Sequence, residues 1–148
     1  MTLLAFTALG CGAAGSAPRT TAADQRLSDP SASAFAARAD TVCGHAAQRI
    51  AKLAGGQSVG VRTLAAAIGV ERTAVELLAA IPVPSRMRAP YARLRAAIAQ
   101  RAELRRRFLA AYHASGRMSS ELVDRANAET VKANRLAEQL SLKDCPPV

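Results

Sequence analysis

Pro90-Tyr-Ala-Arg-Leu-Arg-Ala-Ala-Ile-Ala-Gln-Arg-Ala-Glu-Leu-Arg-Arg-Arg-Phe-Leu-Ala-Ala-Tyr112 is the stretch that decides the fold. Tyr91, Leu94, Ile98, Ala102, Leu109 and Tyr112 recur at the period of one helical face, and Arg occupies much of the remainder. Gly116 follows where a helix commonly ends in left-handed backbone. Outward from this segment the pattern repeats. Asp29-Pro30 reads as a cap followed by Pro in the first turn, and Phe35, Ala39, Val42, Ala46, Ile50 and Leu53 continue at helical spacing to Gly55-Gly56. Ser58 can cap a second helix bearing Val61, Leu64, Ile68, Val75 and Leu78, which Pro82-Val-Pro84-Ser85 breaks. Ser119 or Ser120 caps a fourth, with Leu122, Ala126, Ala133, Leu136 and Leu140 on its apolar face.

Helices are therefore expected at about 30–53, 58–81, 90–115 and 120–142. Short loops make consecutive helices antiparallel, so the expected fold is all-α: an up-down-up-down four-helix bundle over residues 29–148. Composition agrees. The chain has 148 residues, no Trp, two Tyr and three Phe, too few aromatics for a β-sandwich or barrel. Of its residues 35 are Ala, while Leu, Ile, Val and Phe together make up only 31, so the core must be thin.

The N-terminus reads as a targeting segment. Residues 1–10 are uncharged and mostly apolar, Cys11 follows, and residues 11–28 are small, polar and without period, as expected of a flexible tether. Ala8-Leu9-Gly10-Cys11 loosely matches a bacterial lipoprotein signal, in which the Cys is lipidated and becomes the new N-terminus. Leu9 stands two places before the Cys, where the usual pattern has Leu at three. The apolar stretch is short and no Lys or Arg precedes it, which a basic beginning upstream of Met1 would supply. No apolar run is long enough for a complete transmembrane helix.

Three Cys is an odd number. If Cys11 carries lipid, Cys43 and Cys145 remain as a pair, which an oxidising exterior permits to form a disulfide. In a simple bundle the end of the fourth helix lies near the start of the first. Cys43 lies well inside the first helix, so the bond requires that helix to overhang or the tail to fold back along it.

Charge is uneven. The net charge is +9, and residues 86–118 alone carry +8, from nine Arg against Glu103. Arg88, Arg95 and Arg106 form one row on the third helix, Arg93 and Arg107 lie behind it, and Arg101 and Arg105 flank the apolar stripe. The plainer expectation is a solvated face paired in part with Glu121, Asp124 and Glu129 of the next helix. The sharper one makes Arg88, Arg93, Arg95, Arg106 and Arg107 a patch for anionic lipid or cell-wall polymer. Nucleic acid is not an expected partner, because stacking aromatics are few.

Residues 61–80 carry a competing pattern. Ala65, Gly69 and Val75 have the spacing of a helix-turn-helix, which would break the chain near Gly69 and set a second helix in a DNA major groove. Its reading face would show Glu71, Arg72, Thr73, Glu76 and Leu77, and two carboxylates facing phosphates are unfavourable. One continuous helix with a tolerated Gly is the alternative. No catalytic constellation, metal-ligand spacing or phosphate loop is present in the sequence, and neither an enzyme nor a cofactor is expected. Asp40 and Cys43 lie one turn apart, but no base accompanies them.

Phe35-Ala-Ala-Arg-Ala-Asp40-Thr-Val-Cys43, and the ending Asn134-Arg-Leu-Ala-Glu-Gln-Leu-Ser-Leu-Lys-Asp144-Cys145, resemble an uncharacterised family of small secreted or lipid-anchored helical proteins of high-GC Gram-positive bacteria. The shared features are a lipidation Cys, a short tether, Arg-Ala-Asp-x-x-Cys in the first helix and a Cys-bearing tail. The resemblance implies an extracytoplasmic bundle with Cys43 joined to Cys145, and carries no activity. The expected function is thus a non-enzymatic, lipid-anchored or secreted envelope protein with a binding or structural role. Helix-turn-helix DNA binding and carriage of a small apolar ligand between the helices stand as alternatives.

Overall fold

Ser31 begins the first helix. Its hydroxyl accepts a hydrogen bond from the Ala34 amide at 3.1 Å, satisfying one of the donors a helix start leaves open. In the computed structural model, which describes residues 31–55 and 59–146, helix α1 spans Ala32–Ala54 and ends on Gly55 in left-handed backbone. Helix α2 spans Val61–Ala79 and follows Gly60, which supplies no side-chain cap. A single 3-10 turn, Ser85–Met87, leads into α3, Arg88–Ser115, which ends on left-handed Gly116. Helix α4, Ser120–Gln139, is capped by the Ser119 hydroxyl. No strand occurs among the described residues.

The chain is an all-α, antiparallel four-helix bundle: α2 packs on α1, α3 on α2 and α4 on α3. Its upper end holds the starts of α1 and α3. Its lower end holds their C-termini and the starts of α2 and α4. The upper core gathers Phe35 and Ala39 of α1, Leu78 of α2, Tyr91, Leu94 and Ile98 of α3, Leu136 of α4 and Leu140 just beyond it. Tyr91 is its keystone. The ring meets Phe35 edge-on, with centroids 4.9 Å apart, and its hydroxyl donates to the buried Leu78 carbonyl at 2.8 Å. Burial pushes the Tyr91 phenol up to about 12, so it remains a donor throughout the physiological range.

Several helix bounds differ from the sequence expectation. Ser31, not Asp29, caps α1, and Asp29, Pro30 and Ser58 lie outside the described residues, as do the signal-like and tether segments. Helix α4 stops at Gln139 instead of 142, with no Gly to announce it. Ser141 adopts φ +57°, its amide bonds Glu138 O at 3.0 Å, and Leu142 N bonds Ala137 O at 2.9 Å. These two bonds satisfy the last carbonyls of α4, and Leu142 is buried beneath them. A larger correction concerns Gly69. Helix α2 runs through it without interruption, so the break that a helix-turn-helix over residues 61–80 requires does not exist.

Tyr91→Phe keeps the ring and removes its hydrogen bond to the buried Leu78 carbonyl, which retains the Ile81 amide at 3.3 Å. It is expected to cost about 0.5–1.5 kcal/mol in urea denaturation with an unchanged m-value. Ser141→Gly is expected to gain up to about 1 kcal/mol in the same measurement, by relieving the left-handed backbone.

Candidate functional site

Three groupings of side chains have chemistry beyond apolar packing. The first is the clasp at the upper end. Cys43 and Cys145 form a disulfide with Cα atoms 5.1 Å apart across a sequence separation of 102 residues. The tail reaches it by turning back along α1 after Leu142. Asp40 secures that course: its Oδ1 accepts the Lys143 amide at 2.9 Å and the Asp144 amide at 3.1 Å. Asp40 and Cys43 stand one turn apart on α1, so one side chain accepts two tail amides and the next is bonded to the tail itself. The Asp40 carboxylate is thereby spent on backbone amides, and the Cys43 sulfur is buried and bridged.

The second grouping was not anticipated. Glu71 of α2 is fully buried, and its Oε1 pairs with Arg101 of α3 at 3.1 Å and with Arg105 one turn on. Arg101 is fully buried too, while Arg105 is partly exposed. Glu71 Oε2 makes no hydrogen bond. Burial pushes the Glu71 carboxyl above its usual range, against the pull of the two guanidinium groups. A carboxyl so placed binds its proton more tightly folded than unfolded. This residue therefore supports folding most at pH below the usual carboxylate range, and withdraws that support as pH rises through its folded value.

The sequence held a signal for this pair. Arg101 continues the row Leu94-Ile98 towards Phe108, and Glu71 continues Leu64-Ile68 towards Val75 and Leu78. A charge in each of two facing apolar rows, with opposite signs, reads as a buried ion pair once the rows are set side by side.

The third grouping is the predicted basic patch, which the structure spreads out. Arg88, Arg93 and Arg107 are exposed and make no ion pair among the described residues. Arg95 is half-buried, with its guanidinium carbon 5.5 Å from the Tyr91 ring centroid. Arg106 forks onto Glu103 of the same helix at 2.8 and 2.7 Å. Arg88 and Arg107 are separated by about 28 Å along the axis, so the five are spread along α3. Two of the three expected partners on α4 are engaged elsewhere: Glu121 pairs with Arg125 and Glu129 with Lys132, both within that helix, while Asp124 makes no ion pair among the described residues. Such exposed pairs contribute little to stability.

A cleft of about 660 Å³ opens at the lower end, lined by Gly60, by Val61, Arg62 and Thr63 of α2 and by Leu109, Tyr112 and His113 of α3. No group of three or more His, Cys, Asp or Glu among the described residues is placed to hold a metal ion. No helix among them is long and apolar enough to cross a membrane. No protein-family model, curated protein or solved structure matches the chain.

Glu71→Leu alone leaves Arg101 buried without its carboxylate. It is expected to cost about 3–5 kcal/mol, whereas Glu71→Leu with Arg101→Met is expected to be neutral or stabilising by about 1–4 kcal/mol in chemical denaturation. Cys145→Ser releases the tail, and the chain-entropy model puts its cost at about 4–5 kcal/mol for a loop of this length.

Proposed function

We propose that this protein is a non-enzymatic helical module of the cell envelope, held at the outer face of the membrane by lipid on Cys11, with a binding or structural role towards anionic lipid or cell-wall polymer. The observation that carries this reading is the clasp. A disulfide joining the chain's tail to its first helix is suited to an oxidising exterior, and glutathione and thioredoxin keep such thiols reduced in the cytosol. The thin, Ala-rich core gives that bond a purpose, since few large side chains are available to hold α1 and the tail in place.

The third cysteine supports the same reading. With Cys43 and Cys145 bonded to each other, Cys11 is the one thiol left, and it stands directly after an apolar stretch and before a small polar tether. Lipidation there would leave the bundle outside the membrane. The chain's net charge of +9 favours the anionic surfaces of membrane and wall over neutral partners.

Metabolic labelling with a fatty-acid analogue in a high-GC Gram-positive host tests the anchor. The wild-type chain is expected to take up label and to sediment with membranes, and Cys11→Ala to lose the label. Equal labelling of both chains, or an unlabelled chain recovered from the cytosol, would overturn the reading.

A further inference from the structure

The lower end of the bundle gathers cations and apolar side chains from the ends of several helices. Arg49 and Lys52 of α1 line a groove with Leu53 and with Ala66 and Val70 of α2. Arg62 lines the adjoining cleft with Tyr112 and His113. Arg117 follows in the turn between α3 and α4. These four cations are exposed, and none makes an ion pair among the described residues. Neither groove is lined by a carboxylate, in contrast to the α2–α3 groove higher up, where Glu76 and Glu103 stand beside Arg72 and Arg106. Glu121, at the start of α4, is already paired with Arg125.

Apolar side chains stand among these cations. Met118 is 72% exposed, the most exposed large apolar side chain among the described residues, and Leu53 is 38% exposed. Tyr112 is half-buried at the cleft. A soluble polyanion would engage the cations and offer Met118 and Leu53 nowhere to bury. A bilayer offers both an anionic headgroup layer and an apolar boundary directly beneath it.

We propose that the lower end docks onto an anionic phospholipid bilayer, with Arg49, Lys52, Arg62 and Arg117 at the headgroup phosphates and Leu53 and Met118 inserted below them. The inference deepens the envelope reading by naming the surface that meets the membrane, but it needs only the folded bundle and not the anchor. The two are compatible in reach. Residues 11–31 can span about 70 Å at full extension, roughly twice the length of α1, so lipid on Cys11 leaves the lower end free to meet the same bilayer.

The test uses the full chain carrying Cys11→Ala, oxidised, in co-sedimentation with vesicles of phosphatidylglycerol and phosphatidylcholine. Binding to the mixed vesicles is expected, at least tenfold weaker to phosphatidylcholine alone, and falling with salt. A basic residue near such a surface is worth roughly fivefold in affinity, so Lys52→Ala, Arg62→Ala and Arg117→Ala together are expected to weaken binding about a hundredfold. Met118→Ser is expected to weaken it severalfold at unchanged charge. Arg88→Ala, Arg93→Ala and Arg135→Ala, which remove as much charge from the upper half, are expected to stay within about twofold of the parent chain. All these side chains are exposed, and thermal unfolding by circular dichroism verifies that each variant is folded.

No binding to the mixed vesicles at low salt would overturn the proposal, as would equal losses from the upper and lower triple variants. An inert Met118→Ser together with full displacement by soluble polyphosphate would assign the surface to a polymer instead. Failed docking by a chain whose wild type is acylated would leave the anchor standing. Intact docking by a chain whose wild type is never acylated would leave the docking surface standing.

Discussion

The bond between Cys43 and Cys145 is the constraint on which the rest of the architecture depends. Helix α1 packs on α2 and meets the upper core through Phe35 and Ala39, but much of its inward face is Ala and Cys. Apolar burial stabilises by about 25 cal/mol per Å², and an Ala side chain presents little area. The clasp joins the last segment of the chain to the first helix and confines the unfolded chain as well as the folded one. Asp40 adds the directional part, because its two amide hydrogen bonds fix the course of the tail before the sulfur atoms meet. The Schellman-type end of α4 at Ser141 then turns the chain back towards α1. These three devices lie within a few residues of one another and act as one closure.

Below the clasp the bundle changes character. The upper core draws side chains from all four helices, whereas Ala46, Ile50, Ala67, Val70 and Ala74 form a separate cluster between α1 and α2 alone. Glu71 and Arg101 occupy the α2–α3 contact at this level. A buried ion pair is a poor source of stability compared with apolar packing, but it tolerates only one pairing of the two helices. The lower end is left open, with a cleft, exposed cations and apolar tips. A rigid, disulfide-closed upper end and an open, basic lower end suit a module that is held at one place and touches a surface at another.

Much of the fold could be read from periodicity. Phe35, Ala39, Ala46 and Ile50 on α1, and Tyr91, Leu94, Ile98 and Ala102 on α3, are buried as their spacing requires. The cysteine pairing was legible by elimination, and the tail does fold back along α1. Helix ends were less legible. Ser141 supplies a left-handed turn that Gly would have announced, and Gly69 suggested a break where α2 has none, because a single Gly costs a packed helix only about 1 kcal/mol. The buried charges were less legible: periodicity sets Arg101 beside the apolar stripe of α3 and leaves Glu71 open to an outward reading, and only the facing of the two rows turns both inward. The partners of the basic residues were less legible, because helical angle alone does not reveal that Glu103 holds Arg106 or that Tyr91 lies under Arg95.

The closure of the bundle and its placement outside the cytosol both turn on the two sulfur atoms being oxidised in the living cell. Differential alkylation decides this: thiols are blocked in intact cells at the moment of lysis, disulfides are then reduced, newly freed thiols take a second, heavier reagent, and peptides are weighed. The account predicts that Cys43 and Cys145 carry only the heavy reagent. Light reagent on both, in protein from untreated cells, would contradict it.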